Sequence, residues 1–118
     1  MTRDVSLWRK KLCSALDLLA DENFQRENWF GRGKYVDSPD EQYNNLFTDY
    51  DIEEFVDSPE IALNPQQRAA GQRLIDMLEA FDKSVGPELL PEVVIDHPKW
   101  VEIRHAARQF LDLLNCPK

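Results

Sequence analysis

The sequence predicts an all-α fold, a single domain that forms a bundle of three long helices and one or two short helices. Three segments repeat apolar residues at steps of three and four, the spacing of an amphipathic helix. Several of the expected helix starts carry a proline just after a polar residue, where the missing N–H of proline is tolerated. At 118 residues the chain suits one domain with its own core, spanning 1–118.

The first long helix is predicted from Asp4 to Ala20. Residues 21–23 form either its last turn or a loop, and Phe24 is a possible extension of its apolar stripe. Two glycines in residues 28–33 break helical structure, so Trp29 and Phe30 are predicted to be loop aromatics folded onto the core. The stripe of this first helix is Val5, Trp8, Leu12, Leu16 and Leu19.

The middle of the chain is predicted to hold the short helices. One should start at Ser38-Pro39, with Glu41 placed to complete a capping box, and another should lie within residues 49–56. Asp57-Ser58-Pro59 has the same pattern and is interpreted as another helix start.

The second long helix should begin at Asn64-Pro65 and stop at Gly86-Pro87, and the third should begin at His97-Pro98 and end at Pro117. Residues 92–95 are the only β-rich run, and a small β element there is the alternative to a purely helical fold. The two apolar stripes are Ala70, Leu74, Ile75, Leu78 and Phe81, and then Trp100, Ile103, Ala107, Phe110, Leu111 and Leu114.

Charge is distributed unevenly along the chain. No lysine or arginine occurs in residues 35–67, hereafter the acidic segment, whereas the rest of the chain holds 13 acidic and 14 basic residues. The formal net charge of −8 argues against a protein that binds nucleic acid through its phosphates. The nine acidic residues of the segment are Asp37, Asp40, Glu41, Asp49, Asp51, Glu53, Glu54, Asp57 and Glu60.

No motif predicts catalysis, a cofactor or a metal site, so we expect a binding protein and not an enzyme. Residues 49–60 space their acids like a calcium loop, but Glu54 occupies the position where that loop requires glycine. A small metal-binding enzyme with a weak divalent site on the acidic face remains an alternative. A third interpretation is that the acidity serves solubility alone.

No apolar run is long enough to span a membrane and no secretory signal is visible, so a cytoplasmic protein without membrane contact is expected. Cys13 and Cys116 are accordingly predicted to be reduced, partly buried thiols. A bridge between them is the alternative if the two ends of the chain meet.

Aromatic side chains alternate with carboxylates in the acidic segment, which indicates a binding surface for a basic protein. Aromatic residues supply anchors in an interface, and carboxylates attract a cationic partner. Phe55 is expected to turn inward, and the protein to be a monomer or weak dimer. The residues predicted to contact the partner are Tyr43, Asp49, Tyr50, Asp51, Glu53, Glu54 and Asp57.

The string Thr48-Asp49-Tyr50-Asp51-Ile52-Glu53-Glu54-Phe55 resembles an acidic helix start of the immunity proteins of colicin-type nucleases. In its small size, acidity and helical pattern the chain is also similar to immunity proteins of contact-dependent growth inhibition toxins. The resemblance implies a bacterial, cytosolic, non-enzymatic inhibitor that covers the active site or a nearby exosite of a cationic nuclease toxin. The alternative is a helical adaptor or regulatory subunit for another basic protein.

Overall fold

The structure, a computed structural model, describes residues 4–31, 33–85 and 90–116. These residues are largely helical and include no β-strand, which confirms the all-α class. Three helices are long, with 16, 21 and 17 residues, and the short elements outnumber the one or two predicted. The elements are α1 (Val5–Ala20), α2 (Glu22–Asn28), α3 (Pro39–Asn44), the π-helix Asn45–Asp49, α4 (Ile52–Asp57), α5 (Pro65–Val85), α6 (Pro91–Val94) and α7 (Pro98–Leu114).

Helix α7 lies at the centre of the bundle, with α1 and α5 packed along it more extensively than any other helices pack on each other. Helix α1 runs antiparallel to α7. Arg9 Nη2 donates to the carbonyl of Leu114 at 2.6 Å, and further along α1 the carboxylate of Asp17 lies 3.3 Å from Arg108 Nη2. The predicted apolar stripes of α1, α5 and α7 supply most of the core.

Helix α5 is also antiparallel to α7 and approaches it closely at Gly71. Near its start, Gln67 Nε2 donates to the carbonyl of Leu113 at 2.8 Å. A Cβ atom at Gly71 would lie 2.8 Å from Val56 Cγ2 and 2.9 Å from Phe110 Cζ. Because both neighbours are buried, the absence of a side chain at this position lets α4, α5 and α7 meet.

Three of the predicted helix starts are confirmed by their caps. Ser38 Oγ accepts from the backbone N–H of Glu41 at 3.1 Å, and His97 caps α7 through Nδ1. Asn64 and Gln67 cap reciprocally, since each side-chain oxygen accepts from the backbone N–H of the other residue, at 2.8 and 2.9 Å.

The start predicted at Asp57-Ser58-Pro59 is wrong, because α4 ends there. Ser58 Oγ accepts from the backbone N–H of Glu60 at 3.2 Å, which closes a turn and caps no helix. A positive φ of 56° at Ala62 then redirects the chain towards the start of α5.

Two short helices lie where the prediction was open or different. Residues 22–28 form α2, which Asp21 caps by accepting from the N–H of Phe24 at 2.9 Å. The β-rich run near residue 93 belongs to α6, which has Pro91 in its first turn. The predicted stops at Gly86-Pro87 and Pro117 lie outside the described residues, whereas α7 ends with Asn115 in the left-handed conformation.

A buried polar network centred on Gln25 joins α2 to α7. The side-chain oxygen of Gln25 accepts from Arg104 Nε at 2.7 Å and from Trp100 Nε1 at 3.3 Å. Its Nε2 donates to the carbonyl of Leu19 at 2.9 Å and to Gln42 Oε1 at 3.1 Å. Every polar group of this fully buried glutamine is thus paired, as burial requires.

Arg104 is the charged member of this network. Its Nη2 donates to the carbonyl of Ile95 at 2.6 Å, and its Nη1 lies 3.9 Å from the Glu22 carboxylate. Burial lowers the pKa of Arg104, and the negative charge of Glu22 opposes that effect.

Cys13 and Cys116 are joined in a disulfide, which corrects the prediction of two reduced thiols. Their Cα atoms are 6.0 Å apart although 103 positions separate them in the sequence. The antiparallel pairing of α1 and α7 explains this proximity, because it brings the residues after α7 back alongside α1. No helix in the described ranges is both long and apolar enough to cross a bilayer.

Candidate partner-binding surface

An irregular stretch of backbone shapes the acidic segment between α3 and α4. The N–H of Tyr50 donates to the carbonyl of Asn45 at 2.9 Å, closing the wider turn of the π-helix. Asp51 follows in the left-handed conformation, with φ 48°. Such backbone is uncommon away from functional sites and tight turns, and here tertiary contacts hold it.

Helix α1 supplies the contact that fixes this stretch. Trp8 Nε1 donates to the carbonyl of Tyr50 at 2.6 Å, and the ring of Trp8 meets Phe55 edge-on with centroids 5.4 Å apart. Phe55 is fully buried, as predicted, together with Ile52 and Val56. One face of α4 is therefore anchored in the core, and Glu53 and Glu54 are left exposed in its first turn.

A stacked aromatic pair lies beside α4. The rings of Tyr43 and Phe47 have centroids 4.5 Å apart, and both residues are half-buried. The pKa of the Tyr43 phenol is raised, first by burial and then by the negative charges of Asp82, Glu79 and Glu53. Two carboxylates of α5 thus act on the same phenol as Glu53 of α4.

We call Tyr43, Phe47, Glu53, Glu79 and Asp82 the acidic–aromatic surface. Glu79 and Asp82 lie outside the acidic segment and were missed in the sequence analysis. Their spacing of three residues places both on one side of α5, and this spacing is the sequence feature that could have identified them as a pair. Only the tertiary fold brings that side to Tyr43.

The Asp82→Asn variant is expected to lower the pKa of Tyr43, because a nearby negative charge disfavours the phenolate. Folding raises the pKa of Tyr43. The stabilisation that comes with this shift is present below the pKa of the tyrosine in the unfolded chain, and it is lost as the pH rises through the pKa of the folded protein. Ultraviolet absorbance of tyrosinate, in a background with Tyr35 and Tyr50 changed to Phe, measures the titration. Asp76→Asn on the same helix is the control, and an equal shift in both variants would contradict the arrangement.

Asp49 and Tyr50 lie on the other side of the segment, facing α1. They line an open groove of about 220 Å³ together with Asp4, Leu7, Trp8 and Lys11. Lys11 brings a positive charge to this groove, whereas the acidic–aromatic surface as defined holds three carboxylates and no basic residue. Of the predicted contact residues, Tyr43 and Glu53 thus belong to the acidic–aromatic surface, whereas Asp49 and Tyr50 line this groove.

Other acids of the segment have partners within the chain. Asp37 is half-buried, and its Oδ2 accepts from Trp29 Nε1 and from Gln42 Nε2, each at 2.8 Å. Asp57 lies 3.4 Å from Arg68 Nη2 in an exposed ion pair. Asp37 thus stabilises the fold. Because Arg68 partly neutralises the charge of Asp57, Asp57 attracts a cationic partner less than Glu53 or Glu54 does.

A groove of about 260 Å³ between α5 and α7 is lined by apolar side chains, with Lys99 and Glu102 also present. Among residues 4–31, 33–85 and 90–116, no three His, Cys, Asp or Glu side chains come together in a way that could hold a metal ion.

Comparison with known proteins gives one family. A family described as a domain of unknown function (DUF7945) matches residues 5–117 of the chain. No curated protein and no solved structure matches the sequence.

Proposed function

We propose that this chain, which belongs to the DUF7945 family, is a non-enzymatic binding protein that recognises a basic protein through its acidic–aromatic surface and the neighbouring Glu54. The observation that carries the proposal is the arrangement of α4. Its apolar face is fixed in the core, so Glu53 and Glu54 face solvent, and the charge of Glu53 acts on Tyr43 of the stacked pair.

Electrostatics and apolar contact have separate roles in such an interface. The carboxylates attract a cationic partner and raise the rate of encounter over about 8 Å, the screening length at physiological salt. The half-buried aromatic pair provides apolar area that a partner can cover. Because the π-helix and α4 are anchored by Trp8 and Phe55, this part of the chain loses little conformational entropy on binding.

The partner that we propose is a bacterial toxin with a nuclease domain, which makes the chain a cytoplasmic immunity protein acting one-to-one. Support comes from the resemblance of residues 48–55 to immunity proteins and from the basic surface that any nuclease needs to attract its substrate. An adaptor for another basic protein would use the same surface, and the activity of the partner separates the two functions.

The double variant Glu53→Lys/Glu54→Lys is expected to weaken partner binding about tenfold or more, mainly through slower association. The partner is first isolated from the native source on the immobilised wild-type chain and identified. Association and dissociation rates are then measured at about 0.05 and 0.5 M NaCl, and the difference between the variants should shrink at high salt.

Glu27→Lys/Glu92→Lys is the matched control, since it makes the same change of net charge at exposed positions of α2 and α6. Equal weakening by both pairs would mean that net charge and not this surface drives binding. Stoichiometric loss of nuclease activity in the partner supports an immunity protein. A partner without such activity supports the adaptor.

A further inference from the structure

The two cysteine residues of the disulfide differ in their exposure to solvent. Cys13 lies in the middle of α1 and is 5% exposed, whereas Cys116 follows the end of α7 and is half-buried. A thiolate attacks a disulfide at one sulfur and expels the other, so access decides which sulfur is attacked. Because Cys116 is the more exposed of the two residues, its side of the bond is the more accessible to a small nucleophile.

We propose that Cys13–Cys116 is a reversible thiol–disulfide latch, opened by a low-molecular-weight thiol such as glutathione that attacks Cys116. In the first step the glutathione thiolate bonds to Cys116 Sγ, the protein S–S bond breaks, and Cys13 leaves as a thiolate that takes up a proton. In the second step another glutathione thiolate attacks the glutathione sulfur of the mixed disulfide. Cys116 is released as a thiolate, and the two glutathione molecules are joined as oxidised glutathione. They have supplied the two electrons that reduce the protein disulfide.

Contacts around the disulfide favour its re-formation, because they hold the end of α7 against α1. Arg9 Nη2 donates to the carbonyl of Leu114, Leu114 is buried in the core, and neither contact involves a sulfur atom. Both contacts hold the end of α7 against α1 without the covalent bond, so the two thiols remain close. Oxidised glutathione can then re-form the bond by the reverse steps, with Cys116 as the first thiol to react.

The latch explains how a disulfide-bonded fold is compatible with a reducing compartment. An excess of glutathione shifts the bond towards the open form, and an oxidising compartment shifts it towards the closed form. The inference does not depend on the proposed function, because it concerns only the two cysteines and their exposure.

Trapping of partly reduced wild-type protein tests the latch. The oxidised chain is treated with glutathione under native conditions, quenched with iodoacetamide and analysed by peptide mass spectrometry. We expect glutathione on Cys116 and the alkyl group on Cys13. Adducts mainly on Cys13, reduction that requires denaturant, or two free thiols after incubation with oxidised glutathione would each overturn the proposal.

Two single variants provide an independent measurement, after circular dichroism has shown that both are folded. Cys13→Ala leaves Cys116 available, and Cys116→Ala leaves the buried Cys13. The remaining thiol of Cys13→Ala should react with oxidised glutathione about tenfold faster or more than that of Cys116→Ala, because access limits the reaction. Equal rates would remove the basis for attack at Cys116.

Discussion

The variant Cys13→Ala/Cys116→Ala is expected to lose about 4 kcal/mol of unfolding free energy relative to the oxidised wild type. The bond links residues 103 positions apart, and a cross-link over so long a loop removes much of the conformational freedom of the unfolded chain. Urea denaturation of both proteins without reductant measures the difference.

Reductant supplies the control for this prediction. With dithiothreitol present, the unfolding free energies of wild type and double variant should converge, because neither chain then has the cross-link. The single variants should each lose nearly as much as the double variant, since either change alone abolishes the bond. A difference that persists under reducing conditions would assign the effect to packing around Cys13.

The Gln25→Leu variant is expected to lose about 3 kcal/mol of unfolding free energy. Leucine is similar in volume, so the cost comes from lost hydrogen bonds and not from a cavity. Arg104 Nε and Trp100 Nε1 lose their acceptor, and Gln42 loses a donor, all of them in the core. A buried group left without a partner is costly, most of all when it is charged.

Two further variants show whether the buried guanidinium that has lost its Gln25 acceptor is the cause. Adding Arg104→Met to Gln25→Leu should bring the unfolding free energy back towards that of wild type, since the buried cation is then absent. Arg108→Met lies on the exposed side of the same helix and should cost less than about 1 kcal/mol, although it breaks the ion pair with Asp17. Additive losses in the double variant would contradict the network.

The long helices could be predicted because their apolar side chains recur with a single period. The helices α1, α5 and α7 are buried against one another along one face, so each needs apolar residues at helical spacing on that face. This spacing can be seen in the sequence. Helix α2 gives no such signal, since its buried residues are the polar Gln25 and Asn28. In α6 two valines suggest a strand, yet Pro91 and a tight turn after Leu90 make the segment helical.

The site was predictable only where neighbours in sequence are also neighbours in space. The burial of Phe55 and the exposure of Glu53 and Glu54 follow from the helical period of α4. The inward turn of Asp37 depends on Trp29 and on Gln42 of α3, and no local pattern reveals it. The same holds for Glu79 and Asp82, which tertiary packing alone brings to Tyr43.

The central position of α7 has a consequence for biosynthesis. Helices α1 and α5 both pack mainly on α7, which is the last of the described helices to leave the ribosome. The nascent chain must therefore carry the apolar stripes of α1 and α5 without their main partner while the residues between are translated. Contacts between residues so far apart in sequence form slowly, so these two stripes are where a chaperone would act during synthesis.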